Sequence, residues 1–201
     1  MKLIASLTSP YVRKVRALII EAGRQDELPL HLVKTTPLAT AAEIPAANPI
    51  GKIPALVRED GPALYDSRVI TRFLDAEWDL GLYPQARLWD VLTLEATAEG
   101  ILDSAVSISY ERKLRPIEQQ FPDWIEAQWG KIASALDAVE DRWMGLLSGP
   151  LNMPQIAMAC ALEYLDFRHD DRQWRDGRPN LAAFQATFGA RPSMELTKPA
   201  E

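Results

Sequence analysis

The spacing of apolar positions changes along the chain. In its first part, short apolar runs alternate with helical stripes, whereas later the apolar positions recur only at helical spacing. The turn-forming stretch GLYPQ, residues 81–85, lies between the two patterns. We therefore predict an α+β fold with three parts: an α/β domain over residues 1–78, a linker over 79–85 and an all-helical domain over 86–201.

The first domain begins with a strand-like run, KLIASL, over residues 2–7. The next stretch, residues 9–23, has helical period, and its basic residues Arg13, Lys14 and Arg16 lie off the apolar stripe. A serine followed by proline predicts the helix start, and Gly23 predicts its end. Strand and helix together form the first half of a βαβ unit.

The rest of this domain reads as two further elements and a hairpin. Residues 28–35 alternate as a strand, and residues 37–49 are helical in patches. The turn EDGP joins predicted strands over 52–60 and 61–66, and a helix follows over 66–78. The predicted order is therefore βαβ, a short helix, then ββα.

The second domain contains only helical patterns, with Asn152 and Gln155 spaced as a capping box. Three tryptophans on one helix and the single Cys160 are assigned to its core. The predicted helices span residues 86–114, 122–147, 152–168 and 180–191, and the tryptophans are Trp124, Trp129 and Trp143.

Composition removes several classes of function. Of 201 residues, 47% are hydrophobic and 25% charged, and the net charge of −6 argues against nucleic acid as a partner. One cysteine excludes an internal disulfide, and with two histidines it makes a zinc site of usual composition unexpected. No apolar run approaches a membrane span. We expect a cytoplasmic protein without a metal.

Three motifs in order carry a family resemblance: SPYVRK at 9–14, NPIGKIPAL at 48–56 and LYDSRVI at 64–70. Together with the domain order and the C-terminal stretch at 178–193, they resemble the cytosolic glutathione S-transferase family. The match spans nearly the whole chain, and the closest subgroup looks like the bacterial serine-type enzymes.

The resemblance implies a thioredoxin-like βαβ-ββα domain followed by an all-helical domain. It implies a detoxifying enzyme that conjugates reduced glutathione, its co-substrate, to an electrophilic small molecule, with no other cofactor. The family is typically dimeric, and apolar surfaces on the helices beginning near Asp66 and Ala86 are the expected homodimer interface. An alternative is a glutathione-binding or regulatory protein on the same fold with little turnover.

The resemblance implies that Ser9, before Pro10, is the catalytic hydroxyl. A hydroxyl at a helix N-terminus hydrogen-bonds to a thiolate, and the helix dipole favours the same charge. The alternative is that Ser9 only caps its helix, and Thr8 and Ser6 remain as neighbouring hydroxyls. Relatives that reduce disulfides usually have cysteine at this position, which disfavours that chemistry here.

The resemblance places the glutathione peptide against the loop before a cis-proline. An Ile53–Pro54 cis bond would present the backbone of Ile53 to the cysteinyl residue of the ligand. Lys52 is a candidate partner for the glycine carboxylate, or a solvated loop lysine. The alternative for Pro54 is a trans proline that opens an edge strand.

Asp66 and Ser67 are the candidates for the γ-glutamyl end. A serine at a helix N-terminus suits a carboxylate, and an adjacent aspartate suits an ammonium group. A simple helix cap is the alternative. The electrophile pocket is assigned to Tyr11, Tyr110 and Arg112, although the electrophile itself is not readable from the sequence.

Overall fold

The computed structural model describes residues 1–199 and forms two compact units. One unit comprises Met1–Tyr83 and the segment from Arg191, and the other comprises Pro84–Ala190. The last two positions of the predicted helical domain, 200 and 201, lie outside the described residues. The segment from Arg191, which its pattern assigned to the helical domain, therefore clusters with the N-terminal unit.

The N-terminal unit contains a three-stranded sheet in the order β2-β1-β3. Strands β1 and β2 are parallel, and β3 is antiparallel to β1. The predicted fourth strand over 61–66 is reduced to a single antiparallel bridge between Leu56 and Leu64. Pro62 has no N–H to donate, which limits the ladder there. The elements are β1 Lys2–Ala5, α1 Pro10–Glu21, β2 Leu30–Leu32, α2 Glu43–Ala47, β3 Ala55–Val57 and α3 Ser67–Trp78.

Apolar residues from β1, β3, α1 and α3 form the core of this unit. Val12, Val15 and Leu18 are the stripe predicted for α1, and all three are completely buried. Leu56 and Leu74 complete the same layer of fully buried side chains. Helix α1 ends where predicted, since Gly23 follows its C-cap with a φ of +66°, a conformation that favours glycine.

The second unit is helical, as predicted. Its residues form no strand, and α4 packs against α5 and α7. Helix α7 is buried almost all round, including Cys160. The helices are α4 Leu88–Leu114, α5 Pro122–Arg142, α6 Met144–Leu147, α7 Met153–Arg168 and α8 Pro179–Gly189, and a short α9, Pro192–Glu195, lies in the C-terminal segment.

The tryptophans assigned to the core of this unit are only half-buried. The assignment was wrong because an indole ring also packs well at the edge of a core, where one face meets a charged side chain. The Arg172 guanidinium lies 5.3 Å from the centroid of the Trp129 ring.

Charged groups attach the C-terminal segment to α1. The Arg13 guanidinium donates to the Thr197 hydroxyl at 3.3 Å and to the Met194 carbonyl at 3.1 Å. The Arg191 guanidinium donates to both carboxylate oxygens of Glu21, at 2.7 and 2.8 Å. That hydrogen bond lowers the pKa of Glu21, although partial burial opposes it.

Candidate glutathione site

Ser9 is the N-cap of α1, and its hydroxyl oxygen accepts a hydrogen bond from the Val12 N–H at 3.3 Å. A serine hydroxyl has one proton to donate and two lone pairs to accept. Within residues 1–199, the proton of Ser9 has no acceptor. The cap and the thiolate role are therefore compatible, because they use different parts of one hydroxyl.

The two neighbouring hydroxyls are arranged differently. The Ser6 and Thr8 oxygens lie 3.4 Å apart, and the Ser9 N–H donates to the Ser6 carbonyl at 3.1 Å. Ser6 and Thr8 thus form a turn before the helix, while Ser9 alone stands at its N-cap. Tyr11 lies in the first turn of α1 and is half-buried.

The loop before β3 contains the predicted cis-proline. The Ile53–Pro54 bond is cis, and Pro54 is buried. Neither the N–H nor the C=O of Ile53 hydrogen-bonds to another described residue. Lys52 is exposed, and its ammonium group pairs with no group among residues 1–199.

Asp66 and Ser67 begin α3, and the peptide bond between Tyr65 and Asp66 is cis. One oxygen of the Asp66 carboxylate accepts from the Arg68 N–H at 3.0 Å, and the other accepts from the Arg68 guanidinium at 2.9 Å. Ser67 is 1% exposed, and its hydroxyl has no hydrogen-bond partner in the described part of the chain. A helix N-terminal hydroxyl that no other described residue engages is suited to an anionic ligand.

The carboxylate of Asp66 is ionised at neutral pH. Partial burial raises the pKa, but the hydrogen bonds and positive charge of Arg68 and the charge of Lys14 outweigh it and lower the pKa below its usual value. Lys14 is fully buried on α1, although the sequence pattern placed it off the apolar stripe. Arg13 and Lys14 therefore belong to the packed surface of α1.

Sheet register brings these three motifs to one end of the sheet. Ile4 of β1 is opposite Ala55 of β3, and Leu56 is opposite Leu64. Continuing each antiparallel register toward the C-terminal end of β1 places residues 5, 54 and 66 in one row. The loop that leads to Ser9, the Ile53–Pro54 turn and the start of α3 therefore lie at the same end of the sheet.

Two residues assigned to the electrophile pocket lie at the end of α4. Burial raises the pKa of the Tyr110 phenol. The Arg112 guanidinium lies 3.4 Å from the Asp171 carboxylate, in an ion pair. The structure therefore places Tyr110 and Arg112 in the helical unit and Tyr11 in the N-terminal unit.

A second polar group, not expected from the sequence, lies beside that helix end. The His169 Nε2 lies 2.9 Å from the Ala105 carbonyl, and the Tyr164 hydroxyl donates to the Ser109 hydroxyl at 3.3 Å. His169 is 1% exposed, and its Nδ1 has no partner in the part of the chain that the structure describes. Burial lowers the pKa of His169; the hydrogen bond to Ala105 opposes this, and Arg112 lowers it further.

Asn48 is the residue of the N-terminal site that sequence reasoning missed. Its side-chain amide donates to the Lys52 carbonyl at 2.8 Å and accepts from the Ile50 N–H at 3.0 Å. The only signal was a polar residue at the start of the NPIGKIP motif, which does not by itself distinguish a buried amide from a solvated one.

Among residues 1–199, no group of histidine, cysteine or carboxylate side chains is placed to hold a metal ion. None of the helices among these residues has the length and apolar character to span a membrane.

Comparison with known proteins gives the class. Models of the glutathione S-transferase N-terminal and C-terminal domains match residues 8–77 and 122–184. YibF, an uncharacterised GST-like protein of Escherichia coli strain K12, is 32% identical over 207 residues, covering 99% of this chain and 98% of that protein. The chain therefore belongs to the glutathione S-transferase family.

Two crystal structures of one glutathione transferase family member from Pseudomonas fluorescens Pf-5 are especially similar. One, with bound glutathione, is 41% identical with a TM-score of 0.95, covering 100% of this chain and 99% of that chain. The other, with bound S-(propanoic acid)-glutathione, is 40% identical with a TM-score of 0.91, covering 100% of both. The two-domain fold implied by the sequence is thereby confirmed, while the bacterial serine-type subgroup stays a prediction.

Proposed function

We propose that this protein conjugates reduced glutathione to an electrophilic small molecule, with the Ser9 hydroxyl stabilising the thiolate. The observation that carries the proposal is the free proton of the Ser9 hydroxyl at the N-terminus of α1. Ser9 lies at the end of the sheet where Ile53 and Ser67 also lie. Lowering a thiol pKa from about 8.5 to about 7 takes about 2 kcal/mol of thiolate stabilisation. A charge-assisted hydrogen bond and a helix dipole supply energies of that size.

The remaining groups provide the binding we propose for the tripeptide. The backbone of Ile53, beside the cis Pro54, pairs with the cysteinyl residue, as an extended peptide does with an open strand edge. The Ser67 hydroxyl donates a hydrogen bond to the carboxylate of the γ-glutamyl residue. Asp66 holds the ammonium group, since a carboxylate has lone pairs beyond those that Arg68 occupies. Lys52 pairs with the glycine carboxylate.

The reaction we propose forms a carbon–sulfur bond. The relative from Pseudomonas fluorescens binds a glutathione whose sulfur carries propanoic acid. Small unsaturated or halogenated carboxylic acids are therefore the first electrophiles to test. The sulfur adds to the β-carbon of an unsaturated acid while the α-carbon gains a proton, or it displaces a halide ion. Tyr11, Tyr110 and Arg112 are the residues that we propose for binding the electrophile.

Three broader proposals accompany the reaction: detoxification as its role, a homodimer as the assembly and the cytoplasm as the location. A cytoplasmic location agrees with a chain whose one cysteine is buried and forms no disulfide. The alternative is a glutathione-binding or regulatory protein with little turnover. The groups that we propose to bind the tripeptide, at Ile53, Asp66 and Ser67, would suit that function equally well.

In the first experiment, calorimetry monitors the titration of reduced glutathione into three proteins. These are the parent, Ser9→Ala and, as a control for the same substitution elsewhere, Ser148→Ala. The ultraviolet thiolate band of the bound ligand is read across pH. We expect all three proteins to bind, and the ligand thiol pKa to be lowered in the parent and in Ser148→Ala but not in Ser9→Ala.

Other outcomes distinguish the alternatives. An equally low thiol pKa in Ser9→Ala would transfer the role to Thr8 or Ser6. Binding without any lowered pKa, and without turnover of the carboxylic acids, would favour the binding protein. Absence of binding by the parent would contradict both functions.

A further inference from the structure

Asn48 connects the end of α2 to the loop that precedes Pro54. It is the C-cap residue of α2 and is only 2% exposed. Its backbone N–H donates to the Ile44 carbonyl at 2.7 Å, and its carbonyl accepts from the Gly51 N–H at 2.8 Å. Asn48 is thus held at both backbone groups, and its side chain points into the loop that follows.

The side-chain amide of Asn48 spans this loop. Its oxygen accepts from the Ile50 N–H at 3.0 Å, and its nitrogen donates to the Lys52 carbonyl at 2.8 Å. Both distances are those of good hydrogen bonds. One buried side chain therefore fixes two points of a short segment that has no regular secondary structure.

The second of these bonds acts on the group that faces the ligand. The Lys52 carbonyl and the Ile53 N–H belong to the same peptide unit, which is planar. Fixing the direction of the carbonyl therefore fixes the direction of the N–H at its other end. A hydrogen bond to the carbonyl also polarises the unit and strengthens the N–H as a donor. The Ile53 N–H itself is unoccupied by any described residue.

We propose that Asn48 is a positioning residue for glutathione: its amide holds the Lys52–Ile53 peptide unit so that the Ile53 N–H points at the cysteinyl carbonyl of the ligand. Asn48 does not touch the ligand in this arrangement. The inference rests on the proposed function, because it takes glutathione as the ligand of this loop. It adds a residue that acts through the Ile53 backbone.

Asparagine is the side chain that fits both bonds. Aspartate has the same shape and keeps the acceptor for Ile50, but its carboxylate has no proton for the Lys52 carbonyl. An Asn48→Asp substitution therefore removes the one bond that orients Ile53 and places two acceptors against each other. When that carboxyl group is protonated, it regains a donor, and burial favours the protonated form.

The test compares the parent with Asn48→Asp and with Asn180→Asp, the same chemical change in the helical unit. The Asn180 amide donates to Glu140, so its replacement also removes a hydrogen bond. Glutathione affinity is measured by calorimetry from pH 8 to pH 5, and melting temperature is recorded for each protein. At pH 8 we expect Asn48→Asp to bind about 10-fold more weakly than the parent, and Asn180→Asp to bind like the parent.

The pH dependence separates positioning from general damage. The affinity ratio of parent to Asn48→Asp should fall from about 10 at pH 8 to about 3 or less at pH 5, as the aspartic acid regains its donor. Equal affinity of Asn48→Asp and parent at pH 8 would overturn the inference. So would an equal loss in Asn180→Asp, or a ratio independent of pH.

A measurement on the parent keeps the inference testable if Asn48→Asp does not fold. Glutathione should slow hydrogen exchange of the Ile53 N–H at least about 10-fold, while the Asn48 side-chain amide should be protected with and without ligand. Unchanged exchange at Ile53, or an unprotected Asn48 amide, would overturn the inference alone. Failure of the parent to bind glutathione would overturn the proposed function as well.

Discussion

At the scale of single residues, local hydrogen-bond stoichiometry decides what Ser9 can do. Its oxygen accepts from Val12, and its proton remains available for a ligand. Capping and thiolate binding therefore operate together. The same reasoning applies to Ser67, whose hydroxyl has no hydrogen-bond partner among residues 1–199.

A Ser9→Cys substitution should give the protein thiol–disulfide exchange activity. A cysteine at a helix N-terminus has a lowered pKa. We expect its thiolate to attack oxidised glutathione, form a mixed disulfide and release one glutathione, which intact-mass spectrometry would detect. The parent is the control, because Cys160 is buried. A Ser9→Cys protein without adduct would contradict our placement of the site.

His169 should make the stability of the protein depend on pH. Its pKa is lowered in the folded state, chiefly by burial, so the unfolded chain binds a proton more readily. Stability is therefore complete above about pH 6.5, the unfolded value, and falls as the pH drops through the folded pKa. Urea unfolding of the parent from pH 8 to pH 5 measures this.

His169→Gln should lose less stability over the same range, since glutamine does not titrate and can still donate to the Ala105 carbonyl. His31→Gln, in the half-exposed edge strand β2, is the control and should follow the parent. Parallel profiles for His169→Gln and the parent would show that another group causes the acid sensitivity.

At the scale of elements, helix ends are fixed by side chains near and far in the sequence. The predicted capping box at Asn152 is confirmed: its oxygen accepts from the Gln155 N–H at 3.2 Å, and Gln155 accepts in return at 3.0 Å. Helix α8 is different, because its first turn is capped from α5. Glu140 accepts from the N–H groups of Asn180 and Leu181 at 3.0 and 2.7 Å.

Glu140→Ala should destabilise the protein by about 1–3 kcal/mol, because two helix N–H groups and the Asn180 side chain lose their acceptor. Asp141→Ala is the matched control. Asp141 is exposed and, among residues 1–199, pairs only with the exposed Arg142, so about 0.5 kcal/mol or less is expected. Urea unfolding measures both, and an equal effect of the two substitutions would refute the remote cap.

At the scale of the whole molecule, several exposed apolar side chains remain to be explained. Val69 on α3 is 47% exposed and Trp89 on α4 is 78% exposed. Both lie near the starts of the helices whose surfaces were assigned to a homodimer interface. Tryptophan is enriched at protein–protein interfaces, where a side chain that is exposed in the single chain is covered by the partner.

Light scattering of the parent should therefore give twice the mass of one chain, and Trp89→Glu should shift it toward the single-chain mass at micromolar concentration. Ile117→Glu is the control, because Ile117 is equally exposed at 84% but lies after the end of α4. A dimer that survives Trp89→Glu, or a parent of single-chain mass, would contradict the assigned interface.

Features that rest on local chemistry and periodicity could be predicted from the sequence alone. These are the strand and helix at the start, the helix limits at Pro10 and Gly23, the all-helical second unit and the Asn152 box. Each depends on residues within a few positions of one another. The family resemblance added the cis-proline and the order of the three motifs.

Features that depend on partners distant in the sequence became visible in the folded chain. Arg13 is buried against the distant C-terminal segment, where it donates to Thr197, and Glu140 caps a helix 40 positions away. The hairpin strand over 61–66 contracts to one bridge, and Asn48 is recognised only when its amide meets Lys52. The spacing of apolar residues indicates which face of a helix or strand is apolar. Burial of a polar group, in contrast, depends on the hydrogen-bond partner that the fold provides.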